Sequence, residues 1–446
     1  MRKSDAGGKI PFRRQFRIMK RERIGIWIGA ILAGVFLLWP AGARAQGQSP
    51  DDFKETIRRL VEQVRELQGR VKVLEAKQGG NVAEPAQPAD AAPAEPIRGA
   101  PEPSQPKSQE EMGGPGHNME TASGPHLKIQ GFTHMGFDAT SQKGATNSFF
   151  LGNFDLFISS HLSNKFSMLA ELNFEAGDDN NIGVDLERMQ LIYAANDHFK
   201  LSFGRYHTSI GYYNTAYHHG NWFETATGRP FLFLFEDQGG ILPVHNVGLS
   251  LTGSVPSGDL GLHYVAEMGN GRPARHPMNS TVQNKFDENN GKSVNFAVYS
   301  RPDWAPGLQT GFSIYHDHLI PDLAPRIQEM IPAAYVVYFT PKFEFLSEVV
   351  LIHHSFDGAG RTFDMPGFYT QIGRQWGAWR PYVRYQYLNT NPLDPVLGDA
   401  GRVHGPSLGV RYNWSDWVAL KLQYDRNFRR VLNDFNNVGA FVTFTF

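Results

Sequence analysis

The chain of 446 residues contains no cysteine. Without thiols it cannot form a disulfide framework, a thiolate zinc site, a thioether haem attachment or a cysteine nucleophile. No metalloprotease or hydrolase motif stands out, and there is no phosphate-cradling glycine loop. We therefore predict that the protein is not an enzyme, has no catalytic residue and holds no cofactor.

Long apolar runs are also scarce. The one clear run, Ile24 to Pro40, follows six basic residues and precedes Ala43-Arg44-Ala45. This pattern predicts a secretory signal peptide over residues 1–45, with cleavage after Ala45 and Met19 as an alternative true start. No other run is long enough for a spanning helix, which excludes a helical membrane protein.

A basic stripe is missing as well. Beyond the signal peptide the chain holds 33 Lys and Arg against 42 Asp and Glu, a net charge near −9. No nucleic-acid-binding motif is present, so we predict no nucleic-acid partner.

The segment 51–78 carries a heptad repeat that begins at Phe53. Its spacing of four and three residues predicts a coiled coil and self-association, with two or three strands both open. The alternative is an amphipathic helix packed on its own barrel. The oligomerisation residues are Ile57, Leu60, Val64, Leu67, Val71 and Leu74.

Residues 79–126 are rich in proline, alanine and glycine, which predicts an extended linker. Such a linker would separate the coiled coil from the barrel in the periplasm, where contact with peptidoglycan is conceivable.

Residues 127–446 alternate between apolar and polar side chains, with turn residues between the segments. In the segment 165–175, for example, Phe166, Met168 and Ala170 share one face. The pattern predicts an all-β fold, a transmembrane antiparallel β-barrel of about 16 strands with outer-membrane lipid against its apolar face. Barrels of about 14 or 18 strands are the alternatives. The last ten residues alternate strictly up to Phe446, which predicts a closing strand. The expected strand starts are near residues 127, 148, 165, 184, 198, 244, 258, 292, 307, 332, 342, 361, 378, 404, 417 and 437.

A signal peptide, a short coiled coil, a linker and a barrel ending in Phe446 together resemble the outer-membrane porins of the phosphate-selective type. The run Leu201 to Gly211 (LSFGRYHTSIG) resembles the strand-to-loop passage of that family. The resemblance implies a trimeric diffusion channel in a Gram-negative outer membrane, inserted by the barrel assembly machinery. The family's phosphate preference depends on dense Arg and Lys, whereas this barrel segment has 24 basic and 29 acidic residues.

The pleat fixes which side chains would line the pore. Acidic residues fall on early strands and basic residues on late strands, which predicts either two opposed charged walls or ordinary solvated charges. The predicted pore-lining residues are Asp155, Glu171, Glu175, Arg380, Arg384, Arg411 and Lys421, with Glu187 as a further acidic residue.

The interval from Tyr206 to Gly240 has no clear spanning pattern and is the candidate constriction loop. Its charged residues are Glu224, Arg229, Glu236 and Asp237. The apolar run Phe231 to Phe235 could instead form a strand edge or a subunit contact. Histidine pairs at 218–219, 316 and 318, and 353–354 are too few to define a metal site, so no metal is predicted.

Together these features predict a passive outer-membrane channel for small hydrophilic solutes or ions. A structural envelope tether with little conduction is the alternative, and a barrel enzyme is less favoured.

Overall fold

The computed structural model describes residues 126–177, 181–217, 220–235, 239–274, 286–322, 324–358, 360–430 and 433–446. The predicted signal peptide, the coiled coil with its six oligomerisation residues, and the linker up to residue 125 lie outside the described residues.

Sixteen strands form one closed antiparallel barrel, in which each strand pairs with its neighbours in sequence and β1 pairs with β16. The predicted all-β barrel is therefore confirmed. The strands are β1 (His126–Thr140), β2 (Ser148–His161), β3 (Phe166–Ala176), β4 (Ile182–Asn196), β5 (Phe199–His207), β6 (His245–Val255), β7 (Leu262–Gly269), β8 (Ser293–Ser300), β9 (Leu308–Leu319), β10 (Ile327–Phe339), β11 (Phe343–Phe356), β12 (Thr362–Arg374), β13 (Trp379–Asn389), β14 (Arg402–Asn413), β15 (Val418–Arg429) and β16 (Phe435–Thr445).

Most strands begin close to the positions predicted from the sequence, and two begin elsewhere. A 3₁₀ turn at Gly258–Leu260 precedes β7, which begins only at Leu262. Strand β10 begins at Ile327, ahead of the predicted start near residue 332. Pro332 lies inside this strand, where the pairing of β10 with β11 is interrupted between Met330 and Ala333. Proline is tolerated there because its missing N–H interrupts the ladder at one position.

The alternation of each strand separates an outward face from an interior face. In β10, the buried residues Ile327, Glu329 and Ile331 alternate with the more exposed Gln328 and Met330. The interior face thus holds charged side chains, but on β9 to β12 it is also markedly apolar.

The barrel closes at Gly131 and Phe446. The N–H of Gly131 donates to Phe446 O at 3.0 Å, and the N–H of Phe446 donates to Gly131 O at 2.9 Å. A Cβ at residue 131 would lie 2.1 Å from the Phe446 ring, so glycine is what allows the ring to lie over β1. The predicted closing strand is confirmed by this pairing.

One end of the barrel has short connections, such as 162–165, 197–198 and 340–342, while the other end has longer ones. The longest of these, residues 208–244, follows β5 and enters the barrel interior; we call it the inward loop. It contains the helix α1 (Tyr213–Ala216) and a 3₁₀ turn at Phe231–Phe233. No helix within the described residues has the length and apolar character needed to cross a bilayer.

Candidate functional site: the barrel interior and its inward loop

The inward loop begins with a turn that is hydrogen-bonded to the carboxylate of Glu348 on β11. Gly211 has φ +73°, a left-handed conformation that favours glycine, and a Cβ there would lie 2.3 Å from Glu348 Oε2. The next two N–H groups, of Tyr212 and Tyr213, donate to the same carboxylate at 2.6 and 3.0 Å. Tyr369 OH adds a third hydrogen bond at 2.6 Å. One carboxylate thereby satisfies the N–H groups of the N-cap residue Tyr212 and of Tyr213, the first residue of α1, which have no partner within the helix.

The apolar run Phe231 to Phe235 lies inside the barrel, where Phe233 is fully buried. Its 3₁₀ turn contacts β12 and β13, and Phe233 stacks on Tyr213 with ring centroids 5.3 Å apart. The suggestion that this run forms a strand edge or a subunit contact is therefore wrong. The apolar interior faces of β9 to β12 supply the partner surface that a run of phenylalanine and leucine needs.

The inward loop also reaches the opposite wall. Phe223 packs in a second apolar cluster with Phe132, Phe157 and Leu169. The rings of Phe132 and Phe223 meet edge to face at a centroid distance of 5.1 Å. The loop therefore contacts both sides of the barrel interior instead of lying against one wall.

Three cations on late strands hold the middle of the loop through its carbonyl groups. Arg384 Nη1 donates to Gly228 O at 2.7 Å, and Arg411 Nη1 donates to Glu224 O at 2.9 Å. Lys421 Nζ donates to Ala226 O at 2.8 Å and to Asn221 Oδ1 at 2.9 Å. All three side chains face the interior and are buried beneath the loop. These hydrogen bonds thus fix the loop backbone to the late strands.

Arg380 lies at the edge of a cavity of about 440 Å³ between the loop and the wall. Its Nη1 lies 3.3 Å from Glu344 Oε2, which makes a partly buried ion pair. The cavity combines aromatic rings with charged and amide groups. Its lining includes Tyr212, Tyr217, Phe223, Phe339, Phe343, Arg301, Asp303, Gln309 and Gln375.

The early strands carry cations as well as the predicted acids. Arg188 Nε donates to Glu171 Oε2 at 2.6 Å, with both side chains buried. Glu187 Oε2 lies 2.6 Å from His245 Nε2 and 3.9 Å from Arg205 Nη2. An acidic wall on these strands is therefore partly neutralised. Arg188 pairs with Glu171 and Leu186 with Leu172, so β4 has a bulge at Glu187. The bulge places both residues 187 and 188 on the interior side, which simple alternation does not anticipate.

The remaining predicted acids are interior residues of different character. Asp155 is 1% exposed and lies opposite Asn173 in the β2–β3 register. Glu175 accepts hydrogen bonds from Asn173 Nδ2 at 2.8 Å and Asn153 Nδ2 at 3.1 Å.

Within the loop, Glu224 accepts a hydrogen bond from Tyr213 OH. Burial and the neighbouring Glu224 charge raise the pKa of Tyr213 well above its ordinary value, so the phenol keeps the proton that it donates. The Arg229 guanidinium lies 3.8 Å from the Phe235 ring centroid and 5.2 Å from that of Tyr213. Glu236 and Asp237 lie outside the described residues.

A histidine network lies near the longer connections, and the sequence analysis does not predict it. His354 is fully buried, with Nδ1 at 2.6 Å from Asp394 Oδ2 and Nε2 at 2.8 Å from Glu329 Oε2. Arg272 contacts Glu329 and also donates to Ile241 O at 2.7 Å. The network joins the wall, the end of the inward loop and the connection 390–401. Only tertiary contact brings these residues together, so no local pattern reveals the cluster.

Two further sequence patterns are not arranged as sites within the described residues. His316 and His318 lie 4.8 Å apart by ring centroid, yet the described residues hold no group of three or more His, Asp or Glu arranged for a metal ion. The segment Gly405 to Gly409 (GPSLG) does match the G-x-S-x-G pattern of hydrolases, contrary to the expectation that the sequence holds no such motif. Ser407 lies in the middle of β14 instead of at a strand-to-helix turn, so the local geometry is not that of a nucleophile elbow.

Comparisons with known proteins agree on the fold. No protein-family model matches the chain, and no curated protein matches it. The outer membrane channel DcaP of Acinetobacter baumannii is 10% identical, with a TM-score of 0.51, over 74% of this chain and 99% of that one. OmpF of Salmonella typhi, solved with daunomycin, is 12% identical, with a TM-score of 0.50, over 74% of this chain and 100% of that one. At these identities the likeness establishes that the chain adopts the fold of 16-stranded outer-membrane barrels.

Proposed function

We propose that the protein is an outer-membrane porin that forms a passive channel for small hydrophilic solutes or ions. The observation that carries the proposal is a closed barrel with an apolar outward face, a charged interior face and a long loop folded inside it. A closed barrel satisfies all strand hydrogen bonds in lipid, and an inward loop is a means of narrowing a wide lumen.

The narrow region would be set by the inward loop, with Glu224, Arg229, Glu236 and Asp237 as its charged residues. The cavity of about 440 Å³ beside Arg380 is large enough for a small solute and presents both charge signs. Arg380, Arg384, Arg411 and Lys421 would bias the interior toward anions, while Asp155, Glu171 and Glu175 would oppose them. Because Arg380 lines the cavity while Arg384, Arg411 and Lys421 are buried beneath the loop, we assign the larger effect on ion preference to Arg380.

The proposed roles of the N-terminal segments rest on the sequence alone. Residues 1–45 would direct export, residues 51–78 would form a periplasmic coiled coil that assembles a homotrimer, and 79–126 would link it to the barrel. The trimer would be inserted by the barrel assembly machinery, and its N-terminal part would be positioned for contact with peptidoglycan. In this proposal the protein has no catalytic role, binds no metal and has no nucleic-acid partner.

A structural tether with little conduction is the second candidate. The observation that favours it is the contact of the inward loop with both walls, through Phe233 on one side and Phe223 on the other. Such contacts leave less free lumen than a loop attached at one wall.

Single-channel conductance of the mature protein in a planar bilayer separates the two candidates. Stepwise ohmic openings support the porin, and the reversal potential under a salt gradient then reports ion preference. Replacing Arg380 and Arg384 with Ala should shift that preference toward cations. Absence of conductance from a verified folded oligomer contradicts the porin. Deleting residues 46–125 tests the tether. If the shortened protein still conducts but no longer attaches to the cell wall, conduction and attachment are two separable roles.

A further inference from the structure

Five rings form a continuous patch on the outward face of β12 to β15, toward the end with the longer connections. Phe368 stacks on Tyr387 at a centroid distance of 5.7 Å, and Tyr387 lies 6.1 Å from His404. His404 stacks on Phe428 at 5.3 Å and contacts Tyr385 OH through Nδ1 at 3.0 Å. Rings that combine an apolar body with a polar edge collect at the membrane interface of barrels.

A second aromatic group marks the opposite end of the same strands. Trp379 packs on Tyr412 with centroids 4.5 Å apart, and Trp414 follows at 6.2 Å from Tyr412. Along β13, Trp379 and Tyr387 are eight residues apart, or about 26 Å along the strand at roughly 3.3 Å per residue. With a strand tilt of roughly 40° the two rings are separated by about 20 Å along the barrel axis, close to the height of the apolar band of about 25 Å in outer-membrane barrels. The five-ring patch therefore indicates one interface of the bilayer. It is the outer interface, because the longer connections of outer-membrane barrels are extracellular.

Two arginines lie just beyond that interface. Arg402 begins β14, two residues before His404, and Arg430 directly follows β15. The N–H of Arg430 donates to Arg402 O at 3.1 Å, so the two residues continue the strand ladder as neighbours. Both side chains are exposed. Two residues along a strand tilted by roughly 40° rise about 5 Å along the barrel axis, which places the pair at the headgroup level.

This pair of like charges has no carboxylate partner among the described residues. The nearby Arg426, in contrast, forms an ion pair with Asp434 at 3.1 Å. Like charges on neighbouring strand positions are destabilising, and a shared anion placed between them removes the repulsion. Guanidinium groups bind phosphate oxygens with two parallel hydrogen bonds each, so a phosphate monoester is the anion that suits two adjacent arginines.

We propose that Arg402 and Arg430 bind a phosphate on the headgroup of an outer-leaflet glycolipid of the lipid A type, whose acyl chains pack on the five-ring patch. The inference rests on the proposed function because it requires the barrel to lie in an outer membrane. The aromatic patch selects a lipid over free phosphate, since its apolar rings continue from the two arginines into the hydrocarbon layer.

The test measures binding of bisphosphorylated lipid A to the full mature protein in detergent, by native mass spectrometry over a lipid titration. The variant is Arg402→Gln with Arg430→Gln. The matched control is Lys342→Gln with Arg374→Gln, which removes two exposed positive charges at the opposite end of the barrel. Dephosphorylated lipid A and inorganic phosphate serve as the two further probes.

We expect the Arg402 and Arg430 variant to bind lipid A about 30-fold more weakly, as expected for two basic contacts at a membrane surface. The control variant should bind as the unmodified protein does, and dephosphorylated lipid A should bind the unmodified protein as weakly as lipid A binds the variant. Equal binding by both variants overturns the proposal, and full competition by millimolar inorganic phosphate identifies a free-phosphate site instead.

Conductance of the same variants separates this proposal from the proposed function. If the arginine variant loses lipid binding but keeps its conductance, both proposals stand. If lipid binding is lost as expected while neither protein conducts, the porin assignment alone fails.

Discussion

His354 of β11 donates from Nδ1 to Asp394 Oδ2 over 2.6 Å, which fastens the connection 390–401 to the barrel wall. The other ring nitrogen lies 2.8 Å from Glu329 Oε2. Carboxylates accept hydrogen bonds, so both contacts are satisfied together only by the imidazolium form. Asp394 also accepts from the N–H groups of Val396 and Leu397 at 3.0 and 2.8 Å. A single carboxylate thus orders the turn and attaches it to the wall.

Asp394→Asn should loosen the connection 390–401. The substitution removes one charge of a buried pair, which typically costs about 3–5 kcal/mol. Hydrogen exchange of amides 390–401 should accelerate while exchange in β13 and β14 stays slow. Asp399→Asn is a suitable control, because Asp399 lies in the same connection and makes no ion pair among the described residues. Equal exchange in both variants would contradict the assigned role.

The same connection should open at acid pH. Burial acts to raise the pKa of Asp394, but the hydrogen bond and charge of His354 outweigh it and hold the pKa below its ordinary value of 3.8. A carboxylate with a lowered folded-state pKa stabilises the fold above its unfolded pKa, and that contribution is lost as pH falls below about 4. Exchange at 390–401, corrected for intrinsic rates, should rise there. Asp394→Asn should lack this transition, and a transition of equal size in that variant would assign it to another group.

Replacing Arg384 and Arg411 with Gln should raise single-channel conductance. These side chains donate to Gly228 O and Glu224 O at 2.7 and 2.9 Å, and glutamine is shorter and uncharged. Loss of two charged hydrogen bonds, each about 1.5–3 kcal/mol, should let the inward loop leave the wall. Conductance should increase and fluctuate more. Arg374→Gln, an exposed arginine outside the interior, is the control. Unchanged conductance would show that the loop does not restrict the path.

Gly211→Ala should displace the start of the inward loop. A non-glycine residue at φ +73° costs about 1–2 kcal/mol, and its Cβ would lie 2.3 Å from Glu348 Oε2. Protease cleavage within 208–244 should therefore increase. Gly228→Ala is a matched control in the same loop, because a Cβ there meets nothing within 4 Å. Similar cleavage of both variants would mean that Gly211 is not needed for the turn.

Gly131→Ala should impair barrel closure. The added Cβ would lie 2.1 Å from the Phe446 ring and would force it away from β1. The fraction that folds in detergent, read from the heat-dependent shift in electrophoretic mobility, should fall. Gly183→Ala in β4 is the control, because its nearest neighbour atom is 4.0 Å away. Equal folded fractions would place the closing contact elsewhere.

The sequence by itself determined the strands, their number to within about two, and the closure at Phe446. Alternation with a period of two is a local property of the chain, and a closed barrel is the arrangement that lets every strand pair in lipid. It also determined which late-strand cations face inward, since the pleat alone fixes the side of Arg384 and Arg411.

Only the tertiary structure decided what those cations contact. The bulge beside Glu171 brought Arg188 to the interior, and the inward loop buried Arg384, Arg411 and Lys421 beneath its carbonyl groups. His354 meets Asp394 across 40 residues of sequence, and Lys421 meets Ala226 across 195. A repeating local pattern reports which way a side chain points, but the partner that it meets depends on how a non-repeating loop packs across the barrel.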